Sequence, residues 1–393
     1  MDFLFFLGRT SDIAFQELSS IFQARYPDAS LVRLESHIAL GSLETKESAV
    51  MLQRLLGGTV KVAQVDETTS VNETLALETK AVEILEKLPP AKKISFGIAE
   101  TGRDSLDALD HIRIKKALQE KEFSVRFVQG PRSGLSASVL LHQNIDEVVV
   151  CRIKETIYLG HTIAIQNIDE WSLIDRSKPA ADKLHGMLPP KVARMMVNLA
   201  NPEGTEGKRI LDPFCGTGTV VLEAMLLGAT AIGADLRVEA VGQTLKNAEW
   251  LQSLFQTGKV QPILGKTTKF QVIVADATHI NESQLEGKVD SIVAEGYLGP
   301  LTPRPGAVPN IYKGLEKLYK GALKNWTAIL SPGATLCLAL PRMQAQGKVY
   351  SMAPLIDSLE GLGYNTSSGP FIYDRPDAVV QREIFVLTFG KIT

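Results

Sequence analysis

A chain of 393 residues exceeds what one ordinary hydrophobic core organises, so two or three domains are expected. Apolar residues make up 45% and charged residues 22%, and long low-complexity tracts are absent, which excludes a disordered or fibrous chain. A net charge of −2 excludes a polycation that coats nucleic acid along its whole length, but leaves room for a local basic face.

The first residues, Met1-Asp2-Phe3-Leu4-Phe5-Phe6-Leu7-Gly8, are apolar but few and lack a basic start, so they predict a strand rather than a signal peptide. Ser11 or Asp12 can cap a helix that runs to about Ala24. Strands are expected at 31–40 and 60–65, separated by an amphipathic helix over 48–56 and the break Gly57-Gly58. That order suits a small α+β, ferredoxin-like domain over 1–72. A second unit, 73–166, begins with a helix over 75–88 that stops at Pro89-Pro90. A strand at 94–98, a helix at 109–121, a strand at 124–128 and a helix start at 136–142 follow. Residues 148–153 and 156–165 can pair as antiparallel strands. The basic stretch sits here: Arg113, Lys115, Lys116, Lys121, Arg126 and Arg132 stand against Glu120 and Glu122, whereas residues 1–100 hold more acids than bases. Residues 167–185 are polar and irregular in pattern, contain Pro179, and read as a linker.

From Pro190 the pattern changes to alternating helix and strand. Helices are expected over 191–199, 220–227, 238–254, 311–330 and 353–362. Strands are expected over 209–211, 231–234, 272–275, 291–294, 335–340, 371–373 and 383–388. Repeated βα units imply an α/β fold, a mostly parallel sheet with helices on both faces. Nothing is apolar for long enough to span a membrane. Cys151, Cys215 and Cys337 lie far apart and form no CxxC pair, which points to a reducing, cytoplasmic compartment and away from disulfides and zinc. His142, His161 and His185 show no metal-ligand spacing.

Four back-half strands end on an acid: Asp212, Asp235, Asp276 and Glu295. In open α/β sheets, ligands bind beyond the carboxyl ends of the strands. Asp212 opens the loop Pro213-Phe214-Cys215-Gly216-Thr217-Gly218-Thr219, whose glycines allow a tight turn and close approach of a ligand to backbone. Asp235 falls 17 residues after Gly218, where nucleotide-type sites place the acid that binds ribose hydroxyls. The bare loop leaves open a structural turn, a dinucleotide site and a site for another nucleotide-like cofactor. Against the dinucleotide, its third glycine would fall at Val221, and a carboxylate at 212 suits a sulfonium and an amino-acid moiety better than a pyrophosphate.

The stretch 212–219 resembles motif I of class I methyltransferases, in the form found in RNA guanine-N2 enzymes. Asp276-Ala277 resembles the motif whose acid meets the adenine amino group. Gly186-Met187-Leu188-Pro189-Pro190-Lys191, with Ala193 and Asn198-Leu199-Ala200, is similar to the segment before motif I in THUMP-domain methyltransferases. Val125-Arg126-Phe127-Val128 and residues 135–142 resemble the end of a THUMP domain, and 55–65 matches the front of that family. Arg375-Pro376-Asp377 and Arg382-Glu383 fit its closing hairpin. The resemblance covers nearly the whole chain, and its nearest branch is the tRNA guanine-10 N2-methyltransferases.

The resemblance implies a THUMP RNA-binding domain over 73–166, a class I methyltransferase domain over 186–393, S-adenosylmethionine as cofactor and structured RNA, in the first place tRNA, as partner. Cofactor-binding positions carried over are Leu188, Asp212, Pro213, Phe214, Cys215, Gly216, Thr217, Gly218, Asp235, Leu236, Asp276, Ala277 and Glu295. Charge alone leaves the basic stretch a solvated face; the resemblance assigns Arg113, Lys115, Lys116, Arg126 and Arg132 to RNA phosphates. In the family the fourth strand ends in Asp-Pro-Pro-Tyr, whose acid and a backbone carbonyl orient the target amine while the aromatic ring stacks on the flipped base. Here the sequence is Glu295-Gly296-Tyr297-Leu298-Gly299-Pro300: both prolines are missing and the aromatic falls one residue early. Glu295 and Tyr297 are the catalytic candidates. The departure also keeps two alternatives in view: an RNA-binding protein that retains only the cofactor pocket, and a methyltransferase for another RNA base.

Overall fold

Five of the six residues of the first strand, β1 (Asp2–Leu7), are buried, because β1 is an inner strand and helix α1 (Ser11–Arg25) packs on it, with Phe22 edge-on to Phe5 at 5.7 Å. The computed structural model describes residues 1–71, 77–88, 93–102, 109–181, 188–265, 269–300, 302–374 and 379–390. Within them the chain divides into two compact units, Met1–Asp169 and Glu170–Thr393.

The first unit continues with β2 (Leu31–Glu35), β3 (Ile38–Ser42), α2 (Lys46–Leu55), β4 (Thr59–Ser70), α3 (Leu77–Lys87), β5 (Lys93–Thr101), α4 (His111–Glu120), β6 (Ser124–Phe127), α5 (Ala137–Gln143), β7 (Asp146–Ile153) and β8 (Thr156–Ile165). Its strands form one sheet in the order β2-β3-β1-β4-β8-β7-β5-β6. β4 is the seam: it pairs β1 on one side, and its stretch from Lys61 to Ser70 runs antiparallel to β8 on the other. The boundary expected at 72/73 therefore falls inside one sheet. Gly57-Gly58 is more than a break: the buried Glu17 accepts hydrogen bonds from both glycine N–H groups at 2.9 Å, which ties α1 to the entry of β4.

Two expectations for this region need correction. The strand expected at 31–40 is a hairpin, β2 and β3. The turn has no glycine or proline to announce it, and Arg33 stabilises it by donating to the carbonyls of Glu35 and Ser36. The expected linker is not irregular throughout, because α6 (Ile168–Arg176) occupies its first half. Ile174 is buried, and Trp171 lies under the guanidinium of Arg194 at 4.0 Å, so two apolar anchors hold a helix whose other residues are mostly polar. His185, Gly186 and Met187 lie outside the described residues, as do Pro89-Pro90 and Arg375-Pro376-Asp377.

The second unit runs α7 (Pro190–Ala200), β9 (Arg209–Asp212), α8 (Thr219–Leu226), β10 (Thr230–Asp235), α9 (Val238–Gln256), β11 (Lys269–Val274), α10 (Glu282–Leu285), β12 (Val289–Glu295), α11 (Val308–Trp326), β13 (Leu330–Ala345), β14 (Lys348–Tyr350), α12 (Ala353–Asp357), β15 (Tyr364–Tyr373) and β16 (Val380–Phe389). The sheet order is β11-β10-β9-β12-β13-β16-β15. The first five strands are parallel, and β16 is antiparallel to both its neighbours. Chain order reverses between β9 and β12, the switch point where an open α/β sheet leaves a crevice for a ligand. Residues 353–362 are not one helix. α12 ends at Asp357, and a single tight turn, Glu360–Leu362, follows and stops at Gly363 in the left-handed conformation (φ 86°). β13 runs well beyond the expected 335–340 because β16 and β14 pair with its extension. Among the described residues, no helix is long and apolar enough to cross a membrane.

Candidate active site

β9, β10 and β12 are neighbours, and each ends on a carboxylate: Asp212, Asp235 and Glu295. β11 stops earlier, at Val274, so Asp276 stands in the turn beyond it rather than at the strand end. These ends surround a cavity of about 740 Å³ whose wall includes Pro213, Phe214, Gly216, Asp235, Leu236, Asp276, Ala277, Glu295 and Tyr297. Of the other expected cofactor residues, Asp212, Leu188, Cys215 and Thr217 are buried and do not line the cavity, and Gly218 opens α8.

The glycine loop is fixed mainly by backbone groups. The Cys215 N–H donates to the carbonyl of Ala234, and the Gly218 N–H donates to the carbonyl of Cys215. Gly218 has φ 86°, and a Cβ there would meet the Thr244 side chain at 2.8 Å, so two independent constraints require glycine. From α9, Thr244 donates to the Gly216 carbonyl and Asn247 to the Thr217 carbonyl, both at 2.8 Å. The Asp235 carboxylate accepts from the N–H groups of Gly216 (3.0 Å) and Arg237 (2.9 Å), which joins the first loop to the second. Thr244, Asn247 and Arg237 were not among the expected residues; no local motif singles them out.

The electrostatics favour a cation. Burial lifts the carboxyl of Asp212 well above the usual carboxylate range; the Phe214 N–H donated to it opposes the shift, and the charges of Asp235 and Glu295 add to it. A positive group placed among these carboxylates would relieve that repulsion. Asp276 is moved the other way, below its usual value, chiefly by the N–H and then the hydroxyl of Thr278, both at 2.8 Å. The Ala277 carbonyl beside it accepts from the buried indole of Trp326.

The acceptor side of the cavity is built from distant parts of the chain. Glu295 accepts a hydrogen bond and ion pair at 2.6 Å from Arg382 of β16, reaching across β13. Arg382 is itself buried, with its guanidinium 5.9 Å from the Tyr373 ring. Tyr319 of α11, fully buried, donates its hydroxyl to the carbonyl of Tyr297 at 2.5 Å. A Cβ on Gly296 would come within 2.4 Å of that hydroxyl, so the glycine at the first missing proline makes room for Tyr319. Leu298 is buried against the core and also forms part of the cavity wall, where Tyr297 is 56% exposed.

The basic residues expected to meet RNA lie in the first unit. Arg113 faces Glu78 and Asp110, each at 3.5 Å, Arg132 faces Glu100 at 3.2 Å, and Arg126 donates to Gln143. Lys115 is half-buried and Lys116 exposed.

Comparison with known proteins agrees with this architecture. The methyltransferase-domain family described as UPF0020, RMKL-like, matches residues 180–358. A "Probable tRNA (guanine(10)-N2)-dimethyltransferase" of Methanothermococcus thermolithotrophicus is 40% identical over 130 residues, which are 33% of this chain and 74% of that protein. The tRNA (guanine(10)-N2)-dimethyltransferase of Methanocaldococcus jannaschii is 25% identical across 80% of this chain and 86% of its own. That of Methanothermobacter thermautotrophicus is 35% identical, but the match spans 40% of this chain and 39% of that relative's length. Among solved structures, TrmN from Thermus thermophilus superposes over 99% of this chain and 100% of its own, with a TM-score of 0.54 at 19% identity. The shared architecture is an α/β, Rossmann-like methyltransferase domain behind an N-terminal β-rich domain.

Proposed function

The chain belongs to the RNA methyltransferase family that includes the tRNA (guanine(10)-N2)-dimethyltransferases, and from that premise we propose that it methylates a guanine N2 of tRNA, with S-adenosylmethionine as methyl donor. The observation that carries this reading is the convergence of Asp235, Asp276 and Glu295 on one cavity at the switch point of the sheet, with Asp212 buried at the end of the strand between β10 and β12. The residues fit the cofactor. Asp235 would hold the ribose hydroxyls, Leu236 an adenine face, Asp276 and Ala277 the adenine edge, and Asp212 would favour the cationic end. S-adenosylmethionine supplies a methyl group already activated on a sulfonium, so the chain's own residues have to hold and orient rather than activate.

Glu295 would accept a hydrogen bond from the guanine amine and aim its lone pair, while Arg382 fixes where that carboxylate sits. Tyr297, exposed at the wall beside Glu295, would stack on the base once it has left its helix. For the rest of the chain the reading is a ferredoxin-like part over 1–72, a THUMP domain over 73–166, a connection over 167–185 that includes α6, and the class I domain over 186–393. In the THUMP part, Arg113, Lys115, Lys116, Arg126 and Arg132 would meet phosphates. Three free, buried cysteines suit a cytoplasmic setting.

The test is transfer of a labelled methyl group to tRNA transcripts, followed by digestion and mass spectrometry. N2-methylated or N2,N2-dimethylated guanosine at one position, lost when that guanine is replaced by adenine, is the expected result. Binding of both ligands without transfer to any transcript would return the chain to the RNA-binding alternative.

A further inference from the structure

α11 carries a second, uncompensated basic surface. Lys313, Lys317, Lys320 and Lys324 are all exposed. At about 100° per residue they fall within an arc of roughly 60° on one side of the helix and extend over about 16 Å. Tyr312, Leu315, Tyr319, Ala322, Leu323 and Trp326 form the buried side. Among the described residues, none of the four ammonium groups makes an ion pair or hydrogen bond, and Glu316 is the only acid on the helix. Like charges three and four residues apart weaken a helix, and Glu316 is at that spacing from only two of the four lysines, Lys313 and Lys320. Gly314 adds to that cost in mid-helix, and nothing lies within 4 Å of where its Cβ would be, so internal packing does not demand it.

We propose that this lysine stripe is an RNA-phosphate track belonging to the catalytic unit itself, separate from the basic stretch of the first unit. Three observations favour a polyanion over bulk solvent. The cations are in phase along one line, with steps of about 4.5–6 Å that approach the interval between successive phosphates along one strand. Among the described residues none of them is held in an ion pair, unlike Arg113 and Arg132, and one acid, Glu316, stands beside four cations. The helix also borders the cavity, since Leu318 lies in its wall together with Tyr297 and Pro300. Leu318 lies about 130° around the helix from the centre of the stripe, so the track would run along another flank of the helix that walls the cavity. This inference rests on the reading of the chain as a tRNA methyltransferase.

The experiment compares wild type with K313Q/K317Q/K320Q/K324Q for binding of a tRNA transcript at salt concentrations from about 50 to 200 mM. Each phosphate contact contributes close to 0.9 to the slope of log affinity against log salt, so the slope should become shallower by about 2–3. Affinity at the low end should fall at least about tenfold. The Lys→Arg quadruple variant should restore both, and calorimetry should find unchanged affinity for S-adenosylmethionine, showing that the unit is folded. A wild type that methylates tRNA beside a Gln variant with the same slope and affinity would overturn the track and leave the family function standing; the stripe would then suit an acidic protein. A wild type that neither binds nor methylates any tRNA would sink the functional reading, and the track with it.

Discussion

Two of the loops that wall the cavity, at the same sheet edge, are held differently. The loop over 213–218 is pinned by its own backbone, by the carboxylate that ends the next strand, and by two side chains of the following α9. The loop over 296–300 is held from other elements: the Gly296 N–H donates to the Ala339 carbonyl, Tyr319 of α11 donates to the Tyr297 carbonyl, and Arg382, 87 positions on, pairs with Glu295. A glycine serves each loop for a different reason. Gly218 is required by a positive φ as well as by Thr244, whereas Gly296 is required by the approach of Tyr319. The missing prolines are thus matched by supports of another kind.

That contrast can be tested from its strongest point downward. Glu295→Gln should lower single-turnover methylation by about a hundredfold, by analogy with the loss of one preorganised charge-stabilising group, and leave tRNA affinity unchanged. Because this substitution leaves Arg382 buried opposite a neutral amide, Tm should be followed alongside, and Glu295→Gln/Arg382→Gln should recover stability without rate. Equal rates in wild type and Glu295→Gln would mean that the acceptor loop does not hold the amine. On the cofactor side, Asp235→Ala should weaken S-adenosylmethionine binding by at least about tenfold, since hydrogen bonds to a charged group are worth about 1.5–3 kcal/mol each. Unchanged affinity in calorimetry would remove Asp235 from the site. Tyr319→Phe deletes one neutral hydrogen bond, worth about 0.5–1.5 kcal/mol, and should cut turnover severalfold with cofactor affinity intact. An effect on cofactor affinity as large as that on turnover would show that the two loops are not independent.

The smallest effect expected is on stability, and its sign is opposite. A carboxyl whose folded pKa is raised contributes stability that is complete below the unfolded pKa and lost as pH rises through the folded value. Asp212 is such a group, so at neutral pH it costs the fold. Asp212→Asn should therefore raise Tm at neutral pH, by roughly 2–4 °C for each kcal/mol relieved, and lose that advantage in acid, while weakening the cofactor. A lower Tm at neutral pH would mean that the carboxylate stabilises the loop after all.

The same division explains what could be read from residues alone. The acid-ended strands and the two glycines of the first loop are contiguous signals, and the structure places Asp212, Asp235 and Glu295 at the ends of β9, β10 and β12. Arg382 stands out in the sequence only as part of a closing hairpin. Its pairing with Glu295 depends on β16 lying antiparallel beside β13, and no local spacing encodes that. Thr244 and Asn247 are ordinary helix residues until α9 is laid against the loop. The trace of α11's lysines is present at helical spacing in the sequence, but their lack of partners is not. Conversely, the basic stretch over 111–133 looks stronger in one dimension than in three, because Glu78 and Glu100, from earlier in the chain, fold back onto Arg113 and Arg132. The hairpin at Ser36 and the helix α6 escape notice because the first is held by the long side chain of Arg33 and the second by two apolar anchors, Trp171 and Ile174, rather than by turn residues or a regular apolar period.

The shared strand β4 has a consequence for how the front of the chain can be handled and can evolve. Cutting at residue 72 would separate β4 from β8 and leave two fragments, each with a long strand edge of unsatisfied N–H and C=O groups. Such edges invite pairing with other chains, so isolated halves should self-associate where the whole does not. Because β8 reaches β4 only after the intervening elements have been made, the sheet closes late and over a long chain loop, which slows folding. The two halves are thus joined by one strand pair, and a replacement for either must bring a strand that matches the register of β4 with β8.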